Sequence, residues 1–123
     1  MFSNRRHFGE AIERKTARYL QHHGLRLITR NYSCRAGEID LIMQDAADTL
    51  VFVEVRFRQQ HAFGSGLESI TPAKQQRLKR TAAHYLQRHS ELPPRPCRFD
   101  VVGVSRDSSG KRLTFDWIAN AFY

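Results

Sequence analysis

The stretch that most constrains the fold is LVFVEVRFR, residues 50 to 58. It is rich in valine and alternates in polarity, a pattern typical of a β-strand in a packed sheet. Strand side chains point alternately to opposite faces. One face would be apolar throughout: Val51, Val53, Val55 and Phe57. The other carries Phe52 and then charge: Glu54, Arg56 and Arg58. A buried strand with Glu-x-Arg in its middle suggests a functional site.

The remaining patterns predict the order helix, three strands, helix, two strands. The helices are predicted over about residues 8 to 23 and 71 to 89, the strands over 25 to 32, 38 to 43, 50 to 58, 98 to 105 and 113 to 118. The short polar link at 45 to 48 makes the second and third strands a hairpin, and the return through the second helix can place the fourth strand parallel to the third. This is an α/β fold with a mixed sheet of about five strands and two main helices.

Turn and cap residues fix several of these boundaries. Gly24 stands where a left-handed residue ends the first helix. NYSCRAG, residues 31 to 37, is predicted as a turn. Thr71 and Pro72 are typical of an N-cap and a first helical position. Residues 59 to 70, with two glycines and little periodicity, are predicted to form a mobile loop that covers a site.

The formal net charge of +8 favours a polyanionic partner. Cations on the second helix have no acidic residue among them between Thr71 and His89: Lys74, Arg77, Lys79, Arg80 and Arg88. A merely solvated helix face is usually mixed in sign, so we expect nucleic acid as the partner. The alternative is that the charge serves solubility alone.

Several classes of protein are disfavoured. The chain has no apolar run near the ~18 residues of a membrane span, and its N-terminal residues are polar, so we expect a cytoplasmic protein without a membrane partner. Cys34 and Cys97 are far apart in sequence and form no zinc motif, and we expect both to be reduced. The 123 residues fit one domain.

Carboxylates on the predicted hairpin could form a metal site. Glu38 and Asp40 share one face of the second strand, and a suitable register brings Asp40 beside Glu54. Two adjacent carboxylates repel, and a divalent cation cancels that repulsion. Glu13, at the edge of the apolar stripe of the first helix, is expected to point toward the sheet. The alternative is an ordinary ion pair between Glu54 and Arg56 on a solvated face.

The chain resembles a known family over nearly its whole length. The motifs that carry the likeness are GEIDLI, VFVEVRFR, FG, the Lys74-Gln75 helix, RFDVV and WIANAF. Together they are similar to the YraN family of small bacterial proteins, which looks like the archaeal Holliday-junction resolvases of the PD-(D/E)xK superfamily. The resemblance implies a single restriction-endonuclease-like α/β/α domain over residues 1 to 123.

The resemblance also implies roles for particular residues. Asp40 matches the metal-binding acid, Glu54 the second acid, and Glu13 the acid on the first helix of resolvase-like members, with Glu10 as the less fitting alternative. The implied cofactor is Mg²⁺ or Mn²⁺, and the implied reaction is hydrolysis of a phosphodiester in branched or structured DNA rather than RNA. Cutting two strands symmetrically further implies a homodimer.

Arg56 departs from the superfamily pattern, which has lysine there. Arginine stays charged and cannot act as a general base, although it could stabilise charge on a phosphate. Non-catalytic nucleic-acid binding and a protein-interaction role therefore remain alternatives to a nuclease. Glu38, Glu10 and Asp100 are secondary site candidates, and Asp100 could equally be the partner of Arg98. The residues expected to contact nucleic acid are Lys74, Arg77, Arg80, Arg58 and Arg35.

Overall fold

A computed structural model describes residues 2–58, 70–90 and 93–123, with the backbone alone for residues 2–6. The elements are α1 (Phe2–His22), β1 (Arg26–Cys34), β2 (Gly37–Gln44), β3 (Leu50–Arg58), α2 (Pro72–Arg88), β4 (Cys97–Arg106) and β5 (Leu113–Phe122). This confirms the predicted α/β order of two helices and five strands. Most of the predicted loop at 59 to 70 lies outside the described residues.

The five strands form one sheet in the order β1-β2-β3-β4-β5. Neighbouring strands are antiparallel except β3 and β4, which run parallel. The predicted hairpin and the predicted parallel pair are both confirmed. In the part of the chain described, no helix is both long and apolar enough to cross a membrane.

The two faces of β3 build two apolar clusters, as its alternation predicts. Val51 and Val53 pack with α1, on which Ile12, Thr16 and Leu20 are buried. Leu50 and Phe52 pack with α2 on the other face, where the buried residues include Leu78, Ala82 and Tyr85. The sheet is thus covered on both sides, and Glu54, in the middle of β3, is buried. Leu86, near the end of α2, is 38% exposed.

Local hydrogen bonds fix the end of α1 and the start of α2 where sequence patterns placed them. At the end of α1 the N–H of Leu25 donates to the carbonyl of Leu20 and the N–H of Gly24 to that of Gln21, while Gly24 has φ 97. These are the two bonds of a Schellman motif, which requires a left-handed residue at this position. At the start of α2, Thr71 Oγ1 accepts a hydrogen bond from the N–H of Lys74 at 3.2 Å. The N-cap therefore fixes the backbone of Lys74.

Several predicted boundaries were wrong because strands continue past local irregularities. β1 runs to Cys34 through Asn31, which has φ 57, so the turn predicted at 31 to 37 is confined to its end. Ile39 packs with the α2 cluster and Leu41 with the α1 cluster, so these two residues of β2 lie on opposite faces, contrary to strict alternation. β5 passes Ile118 and pairs Phe122 with Phe99 after a register shift near Asn120, whose φ is 54.

Gly37, at the start of β2, lies close to α2, and its replacement tests that contact. It has φ 152, and a Cβ built there would lie 3.2 Å from Thr81 Oγ1. We expect Gly37→Ala to lower the free energy of unfolding by about 1–2 kcal/mol, measured by urea denaturation, because backbone strain and crowding add. Gly9→Ala in α1 is the control: nothing lies within 4 Å of the added Cβ. It should raise stability by up to about 1 kcal/mol. A Gly37→Ala protein as stable as wild type would contradict this view of the contact.

Candidate active site

Asp40 and Glu54 lie next to each other at the end of the β2–β3 pairing. The register pairs Leu41 with Val53, so the next opposed residues are Asp40 and Glu54. Asp40 Oδ2 accepts a hydrogen bond of 2.8 Å from the backbone N–H of Val55. A side-chain oxygen thus replaces a backbone carbonyl as the partner of this N–H. The expected juxtaposition of the two acids is confirmed.

Glu13 approaches Asp40 from α1. Its side chain is half-buried, and its carboxyl group lies within hydrogen-bonding range of the side chains of Asp40 and Asn31. The expectation that it points toward the sheet is therefore confirmed. Its Oε1 atom is buried and has no hydrogen-bond partner among the described residues. A buried carboxylate oxygen without a donor is costly, so it calls for a cation, a proton or a water.

The pKa values of Asp40 and Glu13 are both raised in this cluster. Burial, the adjacent Glu54 carboxylate and, more weakly, the Glu13 carboxylate raise the pKa of Asp40 to about 8, against the opposing hydrogen bond from Val55. Burial also raises the pKa of Glu13, and the nearby charges of Glu10 and Glu38 act in the same direction. Without a bound cation, the cluster therefore retains a proton on Asp40 at neutral pH.

Two cations contact the Glu54 carboxylate. Glu54 is buried, with 7% of its surface exposed. Its Oε2 atom lies 2.8 Å from Lys74 Nζ of α2 and 3.4 Å from Arg56 Nε of the same strand face. The Glu54–Arg56 ion pair of the alternative interpretation is thus present. However, its carboxylate is buried within the acidic cluster rather than lying on a solvated face. Both cations approach the same carboxylate oxygen of Glu54.

These groups open into a pocket of about 260 Å³ between the hairpin and α2. The lining residues come from β2, β3 and α2: Gly37, Glu38, Asp40, Glu54, Lys74, Arg77 and Leu78. Acidic and basic side chains thus face the same space. That combination can hold a divalent cation and an anionic group bound to it.

The donor set fits a divalent cation held by a carboxylate pair. Mg²⁺ prefers oxygen ligands and usually keeps several waters, so one or two protein carboxylates suffice. Asp40 and Glu54 supply such a pair. Within the described ranges, no group of three or more His, Cys, Asp or Glu side chains is arranged so that it could hold a metal ion. Glu13 as a third direct ligand therefore stays a prediction.

The other predicted residues lie at different distances from this pocket. Glu38 and Arg77 line it, whereas Arg80 is exposed further along α2. Arg35 is exposed in the turn between β1 and β2, and Arg58 ends β3. Glu10 lies close enough to Glu13 to raise its pKa. The structure thus brings part of the predicted cationic set to the acids and leaves the rest on the surrounding surface.

Asp100, the candidate that the sequence left open, belongs to a structural network. It is buried, with 1% of its surface exposed. Its carboxylate accepts hydrogen bonds from the guanidinium of Arg98, from Trp117 Nε1 at 2.9 Å and from the N–H of Asn120 at 2.9 Å. These bonds join β4 to β5 and satisfy both oxygens. Asp100 is therefore the partner of Arg98.

The sequence did not predict that Lys74 would bind the buried acid. Its basic neighbours on α2 suggested a solvent-facing cation. The available signal was local: Lys74 lies three residues after the N-cap Thr71, in the helical turn that packs over β3. The side chain of Asn31 lies close to that of Glu13, but the sequence pattern predicted Asn31 in a turn rather than at the site.

A second pocket, of about 270 Å³, lies at the opposite end of β3. Its described lining residues include Leu50, Tyr85, His89, Arg95 and Cys97, and none of those described is Asp or Glu. Cys97 and Cys34 are both free thiols, as expected for reduced cysteines. The acidic pocket is therefore the better candidate for metal-assisted chemistry.

Comparison with known proteins places the chain in a family. The family model described as "Uncharacterised protein family UPF0102" matches residues 12–104. The chain belongs to the UPF0102 family. A UPF0102 protein of Nitrosococcus oceani is 51% identical over 114 residues, which cover 93% of this chain and 90% of that protein. The UPF0102 protein of Alcanivorax borkumensis is 44% identical over 123 residues, covering 100% of this chain and 97% of the relative. One from Coxiella burnetii is 46% identical over 121 residues, covering 98% and 96%.

The UPF0102 match covers the candidate site. Residues 12–104 include all three clustered acids and both cations that contact Glu54. The family part of the resemblance to YraN-type proteins is thereby supported. These relatives carry no described activity in their names.

Proposed function

We propose that this UPF0102 protein is a divalent-cation-dependent endonuclease that hydrolyses phosphodiesters in branched or otherwise structured DNA. The observation that carries the proposal is the acidic cluster of the buried Glu54 with the half-buried Asp40 and Glu13, in which Asp40 and Glu54 line a pocket together with Lys74 and Arg77. Clustered carboxylates at this level of burial are destabilising unless a proton or a cation compensates them. The charge of +8 would attract the polyanionic substrate.

The proposed cofactor is Mg²⁺ or Mn²⁺, held by Asp40 and Glu54 with Glu13 as a further donor. When bound, the cation would supply Lewis-acid stabilisation of the phosphoryl oxygens and favour an attacking water. Asp40 must lose its proton for this role, because a protonated carboxyl group is a poor ligand. The buried Oε1 of Glu13 could receive that proton or a hydrogen bond from a water.

The basic residues of the pocket would act on the phosphate. Arg56 remains charged at every relevant pH, so its role is electrostatic stabilisation rather than proton transfer. Arg77, on the pocket wall, can form paired hydrogen bonds to a phosphate. Arg80, exposed further along α2, would extend this contact along the nucleic-acid backbone. The likeness to junction resolvases supports structured DNA as the substrate and a homodimer as the active form.

Cleavage assays test the proposed activity. Purified protein is incubated with labelled four-way junction, flap, duplex and single-stranded DNA in Mg²⁺, in Mn²⁺ and in EDTA. We expect cleavage in either metal, strongest on the junction or flap, and none in EDTA. Absence of cleavage of every substrate, together with absence of Mn²⁺ binding by calorimetry, would contradict the proposal.

A second candidate function is nucleic-acid binding without catalysis. The observation that favours it is that Lys74 and Arg56 already neutralise Glu54, so that this acid needs no metal ion. Under this alternative the cluster is a structural remnant, and the basic surface alone acts. Affinity for DNA that is unchanged in a Glu54→Gln variant, with no cleavage by wild type, would support it.

Both candidates predict that α2 contacts phosphates close to the pocket. Arg77→Gln should weaken DNA binding and reduce the slope of log K against log salt concentration by about 1, because each neutralised phosphate releases close to one counterion. Fluorescence anisotropy at several salt concentrations measures the slope. Arg88→Gln is the matched control, since Arg88 is exposed in the last turn of the same helix. Equal slopes for wild type and Arg77→Gln would exclude a phosphate contact at Arg77.

A further inference from the structure

Lys74 is positioned to serve two partners. Its Nζ atom lies 2.8 Å from Glu54 Oε2, and 27% of its side chain is exposed compared with 9% for Glu54. Lys74 also lines the pocket, beside Arg77. The glutamate is thus the buried member of the pair, and the lysine is the member whose side chain has access to solvent.

A divalent cation and Lys74 would compete for the same carboxylate. Oε2 of Glu54 already accepts Lys74 and lies near Arg56 Nε at 3.4 Å. A cation held by Asp40 and Glu54 adds two positive charges at this position, and like charges in a half-buried site repel strongly. One of the resident cations must then move away. Lys74 lines the pocket, whereas Arg56 is absent from its lining, so Lys74 is the cation with space to move into.

The Lys74 side chain can move without disturbing the fold. Its backbone is held by the N-cap Thr71, and the neighbouring Leu78 anchors α2 to the sheet with 5% of its surface exposed. The four-carbon stem is flexible and ends in a compact, rotatable donor. A swing of the stem alone carries the ammonium group from the buried acid into the pocket.

We propose that Lys74 is a two-position residue that couples cation binding to nucleic-acid binding. Without a divalent cation it is the counter-ion of Glu54. With one bound, it turns into the pocket and, together with Arg77, binds a phosphate of the nucleic acid. The inference rests on the proposed function and adds a consequence: cation and nucleic acid each raise the other's affinity by the same factor.

The test measures that factor without requiring catalysis. Affinity for a labelled four-way junction is determined by anisotropy in EDTA and in Ca²⁺ at constant ionic strength, for wild type, Lys74→Met and Lys79→Met. Lys79 is the control, a lysine of the same helix that is absent from the pocket lining. We expect Ca²⁺ to tighten binding at least 5-fold in wild type and Lys79→Met, and less than 2-fold in Lys74→Met.

A second measurement separates competition from a merely structural role. Calorimetric titration with Mn²⁺ should show equal or higher affinity in Lys74→Met than in wild type, because the competing ammonium group is gone. Weaker Mn²⁺ binding in Lys74→Met than in wild type would overturn the inference. It would also be overturned if Ca²⁺ increased the DNA affinity of Lys74→Met as much as that of wild type. If Lys74→Met does not fold, the measurements on wild type decide. Wild type that binds Mn²⁺ and DNA, with neither changing the affinity for the other, would overturn the inference and leave the proposed function standing. Absence of Mn²⁺ binding by wild type overturns both.

Discussion

Replacing Glu54 by glutamine should lower cation-dependent DNA cleavage by a factor of roughly 10³. Glutamine keeps the size of the side chain and an oxygen for Lys74, but it removes the charge that holds the cation beside Asp40. Lewis-acid stabilisation by a metal ion is worth several kcal/mol in the transition state, and about 1.4 kcal/mol corresponds to tenfold in rate. Initial rates on labelled junction DNA in Mn²⁺ measure the effect.

The matched control for Glu54→Gln removes an acid elsewhere on the sheet. Asp116 is an exposed residue of β5, and Asp116→Asn makes the same change in net charge. We expect its cleavage rate to stay within about twofold of wild type. Both variants should show urea midpoints close to that of wild type, which separates chemistry from unfolding. Full cleavage by a purified Glu54→Gln protein would mean that Glu54 is not needed, or that another nuclease is present.

Replacing Asp40 by asparagine should remove most of the pH dependence of stability. Burial and the neighbouring acids raise the pKa of Asp40 to about 8 from an ordinary value of 3.8. Between these values the folded protein keeps a proton that the unfolded chain has lost, so the free energy of unfolding falls as pH rises and levels off above about 8. At pH 9 we expect Asp40→Asn to be more stable than wild type by a few kcal/mol, and at pH 4 the two should be similar.

Urea denaturation across pH 4 to 9 measures this difference. Because the pKa of Glu13 is also raised, a weaker dependence of the same sign should remain in the variant. Saturating Mg²⁺ at pH 8 should raise the free energy of unfolding of wild type, since a ligand stabilises only the state that binds it. It should have no effect on the free energy of unfolding of Asp40→Asn. Parallel stability profiles for the two proteins would show that Asp40 is ionised at neutral pH.

Much of the fold could be predicted because the apolar patterns were strong. The alternation of residues 50 to 58 placed β3 within one residue at each end and assigned its two faces correctly. The Thr71-Pro72 pair located the start of α2, and Gly24 the end of α1. The first helix begins at Phe2, earlier than the predicted start at about residue 8. The errors in the strands fall at Asn31 and Asn120. Both adopt positive φ inside a strand, and sequence periodicity cannot show that a strand resumes after such a residue.

The acid pair could be predicted because strand pairing is regular, whereas its counter-ions could not. Asp40 and Glu54 follow from the hairpin register alone. The contact between Lys74 and Glu54 depends on how α2 is rotated and placed on the sheet, which also requires Gly37 to approach Thr81 closely. Helix periodicity identifies the buried face of α2 but not which residue of β3 lies beneath its first turn. Long-range packing therefore decided which predicted surface cation became part of the site.

The hydrogen bond from Val55 to Asp40 has a consequence for mutational scanning. The carboxylate occupies the place of a ladder carbonyl, so one side chain serves both as a proposed ligand and as an architectural element of the hairpin. An alanine there would orphan a main-chain donor, at about 1–3 kcal/mol, as well as delete the ligand. Loss of function in such a scan would conflate two defects. Asparagine, whose amide oxygen can still accept from Val55, distinguishes them.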